Sequence, residues 1–398
     1  MRVIHTSDWH LGHTLRGEVT REHEHQAFLA WLLATCVREA ADALVITGDV
    51  FDSATPPASA ERMWFELLAA LRRALPAMDV VAIAGNHDSP ARLGAASAVL
   101  RELGVHVVGG LDLDRVLIPI AGGRGLVAAV PFLRPVDVPI CDDPLAAIYG
   151  DVIARARAVR ARGQALIVTG HLYVAGADAQ YLSERRVSIG GQESAPLRLF
   201  PDDISYVALG HIHRAQRVGR DTIRYAGAPL ALSLDEASYK HQVLAIDFAG
   251  EQVSEIRCLL VPRAIDIVRV PARGAAPLER VLGELAALPP LEAGDAARPY
   301  LEVVVALERP EPKLRAQVES ALDGKRPRLV RLGVELTGDG AALGDRIAAE
   351  QRLAELDPRD VFVRLWARDH AEPPSAEVLA GFERLLAEVR GDAEDLAS

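Results

Sequence analysis

Cysteine is scarce in this 398-residue sequence: Cys36, Cys141 and Cys258 are scattered, in no metal-binding spacing. An odd count excludes a fully paired disulfide framework, so each reads as a small buried apolar residue and a reducing cytoplasm is the expected setting. Also lacking is any uninterrupted apolar run near the roughly 18 residues a membrane helix needs, so no membrane span is expected. The opening MRVIHTSDWH reaches acidic and imidazole groups too early for a secretion signal. Low-complexity tracts and solenoid repeats are missing too, which excludes those architectures. Positive charge is not in excess: the formal net charge is −11. That argues against a protein that coats nucleic acid unaided. It does not exclude a nuclease, because bound cations approach phosphate locally and a partner can add positive surface.

What is present is an ordinary globular balance, half apolar and a quarter charged, on a chain long enough for two or three domains. Through the first 170 residues, Val- and Ile-rich runs at 2–5, 43–47, 80–84, 105–108, 125–130 and 165–169 alternate with helical patterns at 22–40, 58–74 and 144–162. Such alternation predicts a layered α/β domain. Strand-like segments alone follow, at 206–209, 223–226, 242–248 and 253–260. The stretch 261–277 reads as a junction, and a small β-α-β unit follows it. Three domains are therefore expected: 1–262, 263–340 and 341–398. The last should hold two amphipathic helices, one opened by Asp357-Pro358 and one capped by Ser375. They pack either on their own chain or against a partner's helices.

Four apolar runs end alike. LVITGD ends at Asp49, VAIAGNH at Asn86 and His87, LIVTGH at His171, and YVALGHIH at His211 and His213. A fifth, RVIHTSDWH, delivers Asp8 and His10 without the glycine. Glycine permits tight turns and close backbone approach, and α/β proteins place sites at strand C-termini. The five segments should therefore meet in one crevice. Asp8, His10, Asp49, Asn86, His171, His211 and His213 are seven nitrogen and oxygen ligands without a thiolate, more than one ion requires. Two divalent ions are expected, and imidazole with carboxylate suits manganese, iron or zinc. Two such ions can clamp a phosphoryl group and supply a nucleophile. His87 sits beside the ligands, and an imidazole there is a residue type suited to proton transfer. Its orienting partner is either Asp52 of GDVFD or the adjacent Asp88.

These motifs, in the order DxH, GDxxD, GNHD, GH, GHxH, resemble those of the calcineurin-like metallophosphoesterases. HTSDWHLGH, GDVFD and GNHDSPARL resemble more narrowly the bacterial nuclease subunits that work with an SbcC-type coiled-coil ATPase. The resemblance implies a four-layer α/β sandwich, two β-sheets between helical layers, with a small α+β capping domain and C-terminal helices. It implies one ion on Asp8, His10, Asp49 and His213 and a second on Asp49, Asn86, His171 and His211, with Asp49 bridging and Mn2+ the usual metal. His87 would stabilise or protonate the leaving oxygen, with Asp52 favoured to orient it. The implied activity is exo- and endonucleolytic hydrolysis of DNA ends and hairpins in repair and recombination, by a homodimer bound to the ATPase. A phosphomonoesterase or cyclic-nucleotide phosphodiesterase using the same ions is the alternative. Arg16, Arg92, Arg124, Arg134, Arg185 and Arg186 flank the motifs as candidates for DNA phosphates.

Overall fold

The computed structural model describes residues 1–15, 19–178, 194–292, 297–337 and scattered positions between 362 and 382. The chain divides into two compact units, Met1–Val305 with Lys313–Val334, and Ala306–Pro312 with Glu335–Ser398.

The first unit is built on two six-stranded sheets. One runs in the order Gln252–Leu260, Gln242–Ala249, Arg2–Thr6, Ala43–Thr47, Asp79–Ile83, Val105–Val108, and its last four strands are parallel. The other runs Gln216–Val218, Arg220–Tyr225, Tyr206–Gly210, Ala165–His171, Gly125–Ala128, Leu117–Ile120, with its middle four parallel. The apolar runs are continuous because both faces of each sheet are covered. Val45, Val81 and Ile83 of the first sheet meet Val127, Ile167 and Ala208 of the second. The alternate residues Leu44, Ile46 and Ala82 pack instead on Phe28 and Leu32 of helix Glu22–Arg38 and on Trp64 and Leu68 of helix Ala58–Ala74. On the far side, Leu166, Val168 and Val207 pack on Val152 and Ile153 of helix Pro144–Val159. Each such aliphatic burial contributes about 1.5–3 kcal/mol. Helix, sheet, sheet and helix are the four layers expected.

The stretch read as a junction already holds a strand, Ile267–Val270, which pairs in parallel with Tyr300–Leu307. Ala276–Pro277 and Arg328–Leu336 complete a four-stranded sheet, with helices Leu278–Ala286 and Leu314–Ala321 beside it. Its edge strand is invisible to periodicity because it is four residues long and ends at a proline. In the second unit, Phe362 stacks on Phe382 at 4.3 Å, and the Ser375 hydroxyl accepts from the Val378 N–H at 3.4 Å. Most of the residues expected on the two terminal helices lie outside the described residues.

Candidate metal centre and active site

Asp8, Asp49, Asn86, His171 and His211 all lie at or just beyond the C-terminal ends of parallel strands. The backbone there is strained. Six described non-glycine residues have left-handed φ, and four of them are Asp8, His10, Asp49 and His211, at 54°, 48°, 49° and 93°. Such conformations cost about 1–3 kcal/mol each and persist only where surroundings impose them. Hydrogen bonds between the loops do so. The Asp8 N–H donates to the Gly48 carbonyl and the His10 N–H to that of Asp49, both at 3.0 Å, while the His211 N–H donates to the Asp8 carboxylate at 3.0 Å. Two glycines are required for lack of space. A Cβ on Gly48 would lie 2.2 Å from His171 Nδ1, and one on Gly85 would lie 2.1 Å from Asp49 Oδ1.

The side chains converge. Asp8, His10 and His213 each offer a ligand atom within 4.8 Å of the others, and so do Asp8, Asp49 and His171, and His10, Asp49 and His87. Asn86 Oδ1 lies 3.0 Å from His171 Nε2 and 2.9 Å from His211 Nδ1. All seven expected ligand residues thus share one cluster, and except for the half-buried Asn86 they are buried.

The hydrogen-bond chemistry of the cluster fits a cation. His171 Nδ1 is bonded to the Thr47 carbonyl at 2.8 Å, so it carries the hydrogen, and its Nε2 then faces only acceptors, Asn86 Oδ1 and Asp49 Oδ2 at 3.3 Å. His10 repeats the pattern. Its Nδ1 meets Asp52 Oδ1 at 3.0 Å, while Nε2 is buried without a hydrogen-bond partner, 3.5 Å from Asp49 Oδ2. His213 is likewise bonded through Nδ1 to a carboxylate behind it, Glu236 Oε1 at 3.0 Å. Histidines fixed on the outer nitrogen and turned inward on the other are the arrangement of a metal site. Electrostatics agrees. Burial pushes the His171 imidazole down, but the Asp49 carboxylate beside it outweighs that and holds it up at about 9. Burial likewise opposes the charge on Asp49, and His171 and His10 overcome it, holding that carboxyl far below the usual range. His211 is driven down to about 3, by burial first and then by the charge of His171.

His87 lies at the rim, half-buried, with its ring 4.7 Å from that of His10. Its N–H donates to Asp49 Oδ1 at 2.8 Å, and its Nδ1 is bonded to the main-chain carbonyl of Asp52 at 2.8 Å. The Asp52 residue therefore does meet His87, but through its backbone; its carboxylate faces His10. Asp88 plays neither part. Fully buried, it accepts from the N–H groups of Val50, Phe51 and Gly85 at 3.1, 2.9 and 2.9 Å, pinning the GD loop to the GNH loop.

Glu236, buried behind His213, carries no signal in the sequence; within SLDEAS it reads as part of a polar turn. Of the arginine candidates, Arg92 pairs with Glu61 at 2.9 Å and Arg134 reaches the Asp88 carbonyl at 3.5 Å. Arg124 bonds Asp42 and the Ala121 carbonyl at the opposite ends of the strands, away from the cluster. Arg16, Arg185 and Arg186 lie outside the described residues.

The calcineurin-like phosphoesterase family model matches residues 1–215, and a model described as the type 5 capsule protein repressor C-terminal domain matches residues 263–370. The chain is similar to the SbcD component of the SbcCD nuclease of Rhodobacter capsulatus, 40% identical over 357 residues that cover 84% of this chain and 87% of that protein. The SbcD proteins of Bacillus subtilis and Escherichia coli K12 are 38% and 35% identical, over 65% and 66% of this chain and 70% and 68% of theirs. With matches of this extent on both sides of residue 262, the chain belongs to the calcineurin-like phosphoesterases and, among them, to the SbcD nucleases.

Proposed function

We propose that the chain is a metal-dependent DNA nuclease that hydrolyses phosphodiesters at DNA ends and hairpins together with an SbcC-type ATPase, in DNA repair and recombination. The observation that carries this reading is the single buried cluster of Asp8, His10, Asp49, Asn86, His171, His211 and His213, with His87 at its rim. Asp8, His10, Asp49 and His213 would hold one divalent ion, and Asp49, Asn86, His171 and His211 the other, with Mn2+ suited to this imidazole–carboxylate set. Bound there, such ions supply Lewis acidity at the phosphoryl oxygens and an activated water.

The protein's own share is orientation and proton transfer. Asp52 and Thr47 hold His10 and His171 with Nε2 inward, and Asp88 fixes the two loops against each other. The Asp52 carbonyl takes the Nδ1–H of His87, so the proton that His87 gives to the leaving oxygen comes from Nε2.

Residues 1–262 form the nuclease domain in this reading, 263–340 cap it, and 341–398 dock the ATPase. The working assembly is a homodimer in the cytoplasm; no described helix is long and apolar enough to cross a membrane. The comparison that tests the reading is cleavage of duplex or hairpin DNA against hydrolysis of a phosphomonoester, with Mn2+ and the ATPase partner present. Faster turnover of DNA is expected. Intact DNA beside a hydrolysed monoester would reassign the site to a phosphatase.

A further inference from the structure

Glu236 is fully buried, yet it takes no part in the ligand set. It belongs to the short 3-10 turn Leu234–Ser238. One carboxylate oxygen meets His213 Nδ1 at 3.0 Å; the other accepts from the Leu232 N–H at 2.9 Å. With both oxygens engaged, the carboxylate cannot rotate away, and it requires the hydrogen of His213 on Nδ1. A carboxylate behind a ligating imidazole sets its tautomer, its ring angle and its basicity.

The other side of the same turn is gripped by the chain beyond residue 262. Arg331 Nη1 pairs with Asp235 at 3.0 Å and with Glu302 at 3.3 Å, and Arg269 meets Glu302 at 3.4 Å. Arg263 donates to the Ala237 carbonyl. Leu234 is buried in a cluster with Ile265 and Tyr300, against which Val330 packs. Five residues of one turn thus connect a metal-site histidine to the small β-α-β segment.

We propose that Glu236 is a positioning residue for His213, and that the seating of residues 263–334 on the 234–238 turn sets how tightly the ion on His213 is held. The inference rests on the reading of His213 as a ligand. It gives the small segment a mechanical route to the site: anything that lifts Arg331 and Leu234 from the turn loosens the carboxylate behind one ligand and leaves His171 and Asn86 untouched. Binding at one ion position then responds to a partner acting on residues 263–334, while the other position stays constant.

The test is Mn2+ binding to the full-length protein, followed by calorimetry and by the electron paramagnetic resonance signal of the bound ion. Glu236→Gln is nearly isosteric, but its amide cannot accept from both His213 and Leu232. It should weaken one of two Mn2+ sites by about 10- to 100-fold and leave the other within about twofold. Arg331→Ala breaks a half-exposed pair, and should weaken the same site by about 2- to 5-fold with the melting temperature of the metal-free protein nearly unchanged. Two ions bound alike by wild type and E236Q would overturn the inference alone. Unchanged binding in R331A would overturn the link to residues 263–334. Wild-type protein that binds no Mn2+ would overturn both this inference and the site reading on which it rests.

Discussion

At the scale of single residues, the proposed site separates holding ions from moving protons. His87 touches Asp49 only through its main-chain N–H, while its side chain is bonded to the Asp52 carbonyl. His87→Gln should therefore keep full metal content, by elemental analysis, and lose about 10²–10⁴-fold in DNA cleavage rate. Loss of metal with activity would contradict the division. His171 gives a pH prediction. With its metal-free pKa raised from an ordinary 6.5 to about 9, it is protonated at neutral pH and must shed that proton to ligate. The apparent Mn2+ affinity of the position that His171 ligates should rise about tenfold per pH unit between about 7 and 8.5, with about one proton released on filling that position in calorimetry across buffers. For the metal-free fold the sign is opposite. The His171–Asp49 contact stabilises it fully below pH 6.5, and that contribution is lost as pH rises through about 9.

Individual elements are joined by a few buried polar contacts, and one of them ties the start of helix Glu22–Arg38 to strand Tyr300–Leu307. Arg21 grips Glu24 with two bonds of 2.7 and 2.6 Å, the Tyr300 hydroxyl donates to Glu24 at 2.6 Å, and all three are buried. Arg21→Ala leaves a buried carboxylate without its cation and should cost about 3–5 kcal/mol in urea unfolding. A loss below about 1 kcal/mol would mean that water reaches Glu24. This triad also marks where the sequence stops being legible. Strands such as Ala43–Thr47 are readable because both their faces are buried, and periodicity and length suffice. Leu117–Ile120 escapes a reading by periodicity because Pro119 interrupts it, which is tolerable only because it is an edge strand. The seven proposed ligand residues are legible because each follows a buried run. The use made of Asp52, Asp88 and Glu236 is not, because it depends on which oxygen faces which neighbour once distant loops meet.

For the whole molecule, an acidic chain that cuts an acidic polymer needs cations at the site and help elsewhere. The proposed ATPase supplies that help, and residues 341–398 are the proposed dock. Removing everything after Asp357 should leave Mn2+ stoichiometry unchanged and weaken association with the ATPase in size-exclusion or pull-down measurements. Undiminished association would return those residues to packing on their own chain. The account as a whole stands on two ions in one cluster turning over DNA. The most direct measurement joins metal analysis to cleavage of a hairpin DNA whose ends are blocked, in the presence of Mn2+, the ATPase and ATP. Two ions per chain and a cut hairpin are predicted, with both lost in Asp49→Asn. A fully loaded protein that leaves the hairpin intact would contradict it.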